Sequence, residues 1–64
     1  MNRKIKIIIE NSFVLISNYD IIEKIELSLI IIDFIRINGN NLKIIEIDDG
    51  RVKINGEIKK IEFV

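Results

Sequence analysis

Sixty-four residues make one small domain and leave no room for a second core. Ten Lys and Arg balance ten Asp and Glu, so no net charge steers the chain toward nucleic acid or an anionic membrane. With no Cys and no His, disulfide staples, thiolate or imidazole metal sites, and Cys- or His-based catalysis are all excluded.

Isoleucine dominates the apolar residues and alanine is absent. A branched Cβ suits a pleated surface and disfavours a helix, so the expected fold class is all-β. Met1-Asn2-Arg3-Lys4 is a basic start, but Lys6 and Glu10 interrupt the apolar stretch that a signal peptide needs. No uncharged run approaches the roughly 20 residues that span a bilayer, so a cytoplasmic domain is expected.

Ile5, Ile7 and Ile9 alternate with Lys4, Lys6, Ile8 and Glu10, which predicts a first strand with one buried face and one mostly polar face that Ile8 interrupts. Phe13 to Tyr19 is apolar at both parities until Ser17. Phe13 and Leu15 are taken as the inward pair, with Val14 and Ile16 as the alternative. Tyr19 to Glu23 reads as a connection anchored by Ile21 and Ile22. Ile25, Leu27, Leu29 and Ile31 then share one parity against Lys24, Glu26 and Ser28, which predicts a single strand. The uncharged run Leu29-Ile30-Ile31-Ile32 covers both faces and is the most aggregation-prone segment. Asp33 follows it as a connection residue, with a second use in binding a partner's Lys or Arg.

The second half predicts reversals at three punctuated sites. A four-residue loop Asn38-Gly39-Asn40-Asn41 pairs Ile37 with Leu42 and Ile35 with Ile44. Asp48-Asp49-Gly50-Arg51 pairs Ile47 with Val52 and Ile45 with Ile54. Asn55-Gly56-Glu57 sets Ile54 opposite Ile58. Leu42 and Ile44 are out of phase with Ile45 and Ile47, which requires a bulge near Ile44 or Ile45. Ile58 is out of phase with Ile61 and Phe63, which requires another around Lys59 and Lys60. The architecture expected is a small rolled antiparallel sheet or meander, with a short β-solenoid as the alternative.

No residue set carries catalysis. Asp48 and Asp49 have too few oxygen neighbours in sequence for calcium or magnesium and suit a turn. Ser12, Ser17 and Ser28 have no histidine base, and no Gly-rich phosphate loop is present. No enzymatic activity, cofactor or metal is expected. Arg3, Lys4 and Lys6 could join Lys59 and Lys60 in a phosphate-facing patch, with Phe13, Tyr19, Phe34 or Phe63 as stacking residues. Charge balance and the apolar setting of those rings argue against it. An exposed sheet edge that accepts another strand needs no catalytic side chain, and this favours an interaction protein or homo-oligomer.

The stretches around Ile7-Ile8-Ile9-Glu10-Asn11, through Phe34-Ile35-Arg36-Ile37-Asn38-Gly39-Asn40-Asn41-Leu42-Lys43-Ile44, and through Arg51-Val52-Lys53-Ile54-Asn55-Gly56-Glu57-Ile58 with Ile61-Glu62-Phe63 resemble the YabP/YqfC-type sporulation protein family, its YqfC-like members above all. The resemblance implies a small β-rich protein with no established enzymatic activity that acts in endospore formation and spore envelope development. It also implies a membrane or envelope partner at the developing spore membrane, and structural turn roles for Gly39 and Gly56. The sequence departs from the family pattern at Val14 and at Asp33, where turn glycines are common.

Overall fold

Branched aliphatics alternating with polar residues put about three quarters of the described residues into strands. The computed structural model describes residues 4–63 and contains β1 Lys6–Ile9, β2 Phe13–Ser17, β3 Ile22–Ile25, β4 Leu29–Ile32, β5 Ile35–Asp48 and β6 Arg51–Phe63. They form one antiparallel sheet in the order β1-β2-β6-β5-β4-β3, not closed into a barrel. Every pairing is antiparallel, which selects the rolled sheet over the solenoid, whose rungs run parallel.

The roll comes from β5 and β6, 14 and 13 residues long and each shared between two layers. The first half of β5 pairs with β4 on one side and with the last half of β6 on the other. Its second half pairs only with the first half of β6, which in turn pairs with β2. One layer is therefore β3, β4 and one end of the long hairpin; the other is β1, β2 and the opposite end. Ile30, Ile32, Ile35 and Ile37 from the first meet Val14, Ile16, Leu42, Val52 and Ile54 from the second in one buried cluster. Ile5, Ile7, Tyr19, Ile22, Ile44, Ile58 and Ile61 pack around its rim.

The bend lies where the sequence predicts reversals. Asn38-Gly39-Asn40-Asn41 and Asn55-Gly56-Glu57 both stay within strands, facing each other across the β5–β6 ladder, with Gly39 opposite Ile58 and Asn40 opposite Glu57. The expected Ile37–Leu42 and Ile35–Ile44 pairs are replaced: Ile37 lies between Ile30 and Ile61, and Ile35 between Ile32 and Phe63. Ile54 lies between Val14 and Ile44, not opposite Ile58. The reason is close backbone approach. A Cβ on Gly39 would collide with the Glu57 carbonyl oxygen, and one on Gly56 would sit 2.6 Å from the Asn41 carbonyl oxygen. Gly56 adopts φ 133° and Asn41 φ 53°, so these two residues supply the bulge geometry, while Gly39 supplies only the space.

Asp49-Gly50 does reverse the chain, with Asp48 paired to Arg51, Ile47 to Val52 as expected, and Gly50 at φ 72°. The bulge required near Ile44 or Ile45 extrudes Ile45, so Ile44 takes the place opposite Ile54 expected for Ile45. The bulge required around Lys59 and Lys60 extrudes Lys59.

Two N-terminal expectations change. Val14 and Ile16 point inward, and Phe13 and Leu15 face outward on β2. The strand expected to carry Ile25, Leu27, Leu29 and Ile31 on one buried face is a hairpin, β3–β4, and its inward residues are Ile30 and Ile32. Its turn, residues 26–28, is held by Glu26 N donating to Leu29 O at 2.8 Å. The bend in β5 holds it further: Leu42 N donates to Leu27 O at 2.8 Å and Gly39 N to Ser28 O at 3.1 Å. The turn carbonyls thus satisfy amides that the bend frees.

Candidate functional site

Rolling the sheet without closing it leaves four strand edges unpaired among the described residues: β1, β3, residues 43–48 of β5 and residues 58–63 of β6. Large apolar side chains are exposed beside all four, including Ile8 and Ile9 on β1, Ile25 on β3, Ile45 and Ile47 on β5, and Phe63 on β6. Ion pairs Lys24–Glu26 at 3.8 Å and Lys60–Glu62 at 3.2 Å place charge on the β3 and β6 edges.

The basic residues singled out in sequence are not gathered. Lys6 lies on β1, Lys4 just before it with its carbonyl oxygen accepting from Asn18 Nδ2 at 2.9 Å, and Lys59 and Lys60 in the far half of β6; no Cα of β1 comes within 8 Å of β6. Arg3 lies outside the described residues. The ladder instead lines up Lys6, Ser17, Arg51 and Asp48 in one outer row, and Ile8, Leu15, Lys53 and Glu46 in the next. Sequence spacing could not reveal these rows, because they join strands far apart in the chain. They border a shallow hollow of about 210 Å³ lined by Phe13, Leu15, Glu46, Asp48, Arg51 and Lys53. The Lys53 ammonium stands 4.4 Å above the Phe13 ring, and Arg51 pairs with Asp48 at 3.6 Å. Among the aromatics proposed for stacking, Phe34 and Phe63 contact each other, with ring centroids 6.3 Å apart.

Asp33 sits in the β4–β5 turn at φ 53°. Its carboxylate accepts the Asp20 amide at 3.0 Å and the Ile21 amide at 2.9 Å, and its own amide donates to Ile21 O at 2.9 Å. Both carboxylate oxygens thereby clamp the β2–β3 connection to the turn. Asp33→Ala removes both acceptors and puts a Cβ-only residue at positive φ, an expected loss of about 2 kcal/mol. Asp33→Asn keeps one acceptor and tolerates the backbone, so it should lose about half as much. Urea midpoints for the two variants check the order.

No protein-family model matches the chain. No curated protein and no solved structure matches it either. Among the described residues no helix is long and apolar enough to cross a membrane, and no group of three or more acidic side chains converges as a metal site.

Proposed function

We propose that the protein is a noncatalytic structural or interaction protein that acts in endospore formation and spore envelope development. It works by offering sheet edges to a partner. The observation that carries this reading is the set of four unpaired edges with exposed isoleucine or phenylalanine beside each one. Main-chain hydrogen bonding at such an edge gives affinity, and the neighbouring apolar side chains give selectivity, without any reactive group. The spore setting, a place at the periphery of the developing spore membrane, and a membrane or envelope partner come from the resemblance in the Asn-Gly segments.

Single-stranded nucleic acid is the competing ligand. The Lys53–Phe13 contact would suit it, but Glu46 and Asp48 border the same hollow and repel phosphate.

The test is deletion in the spore-forming host together with a fluorescent fusion. The fusion is expected to accumulate during sporulation at the developing spore membrane, and deletion to lower the yield of resistant spores. Normal spores, or salt-sensitive binding of the purified protein to an oligothymidylate, would overturn the reading.

A further inference from the structure

The β1 edge differs from the other three. β3 shifts register between Ile22 and Lys24, the β5 edge extrudes Ile45, and the β6 edge extrudes Lys59. Irregularities of this kind keep an edge strand from accepting another. β1 has none: its register with β2 runs unbroken from Lys6 opposite Ser17 to Ile9 opposite Val14. It is also the edge with the fewest charged residues, Lys-Ile-Ile-Ile, with Ile8 38% and Ile9 57% exposed.

The backbone of this edge is set up for pairing. Glu10 N donates to Phe13 O at 2.9 Å. In an antiparallel ladder, hydrogen-bonding direction alternates residue by residue, so the Lys6 and Ile8 amides also face β2. Those of Ile7 and Ile9 face outward.

The side chains then say what pairs there. Lys6, Ile8 and Glu10 lie on the outer side of the sheet, Ile7 and Ile9 on the core side. Lys6 and Glu10 flank Ile8 symmetrically and have no ion pair with another described residue. A second copy placed antiparallel about a twofold axis through Ile8 keeps each face on its own side. It sets Lys6 opposite Glu10 of the second copy at both ends, Ile7 opposite Ile9, and Ile8 opposite Ile8. The outward amides of Ile7 and Ile9 meet as hydrogen-bonded pairs in this register. Centring on Ile7 instead sets Lys4 against Glu10 but Lys6 against Ile8, so each Lys6 faces an apolar side chain and has no opposite charge.

We propose that the protein forms a homodimer by antiparallel pairing of β1 with β1 of a second copy, in the register centred on Ile8. The two β1–β2 layers become one continuous sheet, and the exposed Ile9 of each copy is set beside Ile7 of the other, which packs at the rim of its own core. This rests on the interaction-protein reading and names the edge and its occupant.

The test is sedimentation of the full chain. The wild type is expected to dimerise reversibly at roughly 10–100 µM, the strength a short interface supports. K6E and E10K each oppose like charges across both ends and are expected to weaken the dimer about tenfold, while the double variant K6E/E10K regains it. The chain has no cysteine, so I8C reports the register alone. Ile8 facing Ile8 is a pair with Cα atoms roughly 4.5 Å apart, within disulfide reach, so I8C should link to itself on oxidation while K24C on the β3 edge does not. A monomer at every concentration up to about 1 mM, tenfold above that range, would overturn the proposal. So would a dimer indifferent to both charge swaps with I8C linking no faster than K24C. Either result alongside defective deletion spores defeats the dimer and leaves the sporulation role; a dimer with rescue by the double variant in a host with normal deletion spores does the reverse.

Discussion

Gly39→Ala is expected to leave the protein largely unfolded at room temperature. Gly39 has no positive φ, so the cost is steric: the new methyl would overlap the Glu57 carbonyl oxygen and lie 3.0 Å from the Glu57 carbonyl carbon. Both obstacles are backbone atoms in the paired strand, and relieving them means parting β5 from β6 at the bend. Forcing volume into a packed site costs about 1–3 kcal/mol where side chains can yield, and more where they cannot. A chain of this size has only about 3–10 kcal/mol in total. Gly56→Ala should be as severe, because it adds the strain of φ 133° to a 2.6 Å contact with the Asn41 carbonyl oxygen. Gly50→Ala isolates the conformational part: φ is 72° but nothing lies within 4 Å, so about 1 kcal/mol is expected. Far-ultraviolet circular dichroism with urea melts ranks the three. A Gly39→Ala midpoint no lower than that of Gly50→Ala would show that the bend does not depend on close approach.

The same glycines mark the boundary of what the sequence makes legible. Isoleucine spacing identifies an all-β chain, a reversal within Asp48-Asp49-Gly50-Arg51 with Ile47 opposite Val52, made tighter than the expected four-residue connection by the Asp48–Arg51 pair, and the out-of-phase residues that become bulges at Ile45 and Lys59. It misreads Asn38-Gly39 and Asn55-Gly56, because a glycine suits a hairpin turn by its backbone freedom and a strand bend by letting the opposing backbone approach, the use made of Gly39 and Gly56 here. Only the opposing strand decides between them, and in sequence Glu57 is far from Gly39. For Val14 and Ile16 against Phe13 and Leu15, parity alone is symmetric, and pairing with Val52 and Ile54 breaks the tie. The hairpin hidden in the alternation of Ile25, Leu27, Leu29 and Ile31 depends on Leu27 and Ser28 carbonyls meeting amides of the β5 bend, again a long-range partner. The candidate surface fares similarly. The free β1 edge is a property of the sheet order, which places β2 beside β6 and leaves no strand of the described residues outside β1.

Ile54→Ala is the second large effect expected, and it tests whether the two layers share one core. Ile54 is fully buried, lies between Val14 and Ile44 in its own layer, and belongs to the cluster that also holds Ile30 and Ile37 from the other. Removing its branched side chain loses the transfer free energy and leaves a cavity that two hydrogen-bonded neighbouring strands cannot collapse to fill, about 2–5 kcal/mol. Ile47→Ala removes the same atoms from the same hairpin at a site 60% exposed and should cost well under about 1 kcal/mol. Identical chemistry with a severalfold difference in cost is the signature of a core defined by layer packing and not by isoleucine content. Equal denaturation midpoints for the two variants would mean that the layers do not close on each other. Ile54→Val separates cavity from transfer: loss of a single methylene at a site that stays filled should cost about 1 kcal/mol and keep cooperative unfolding.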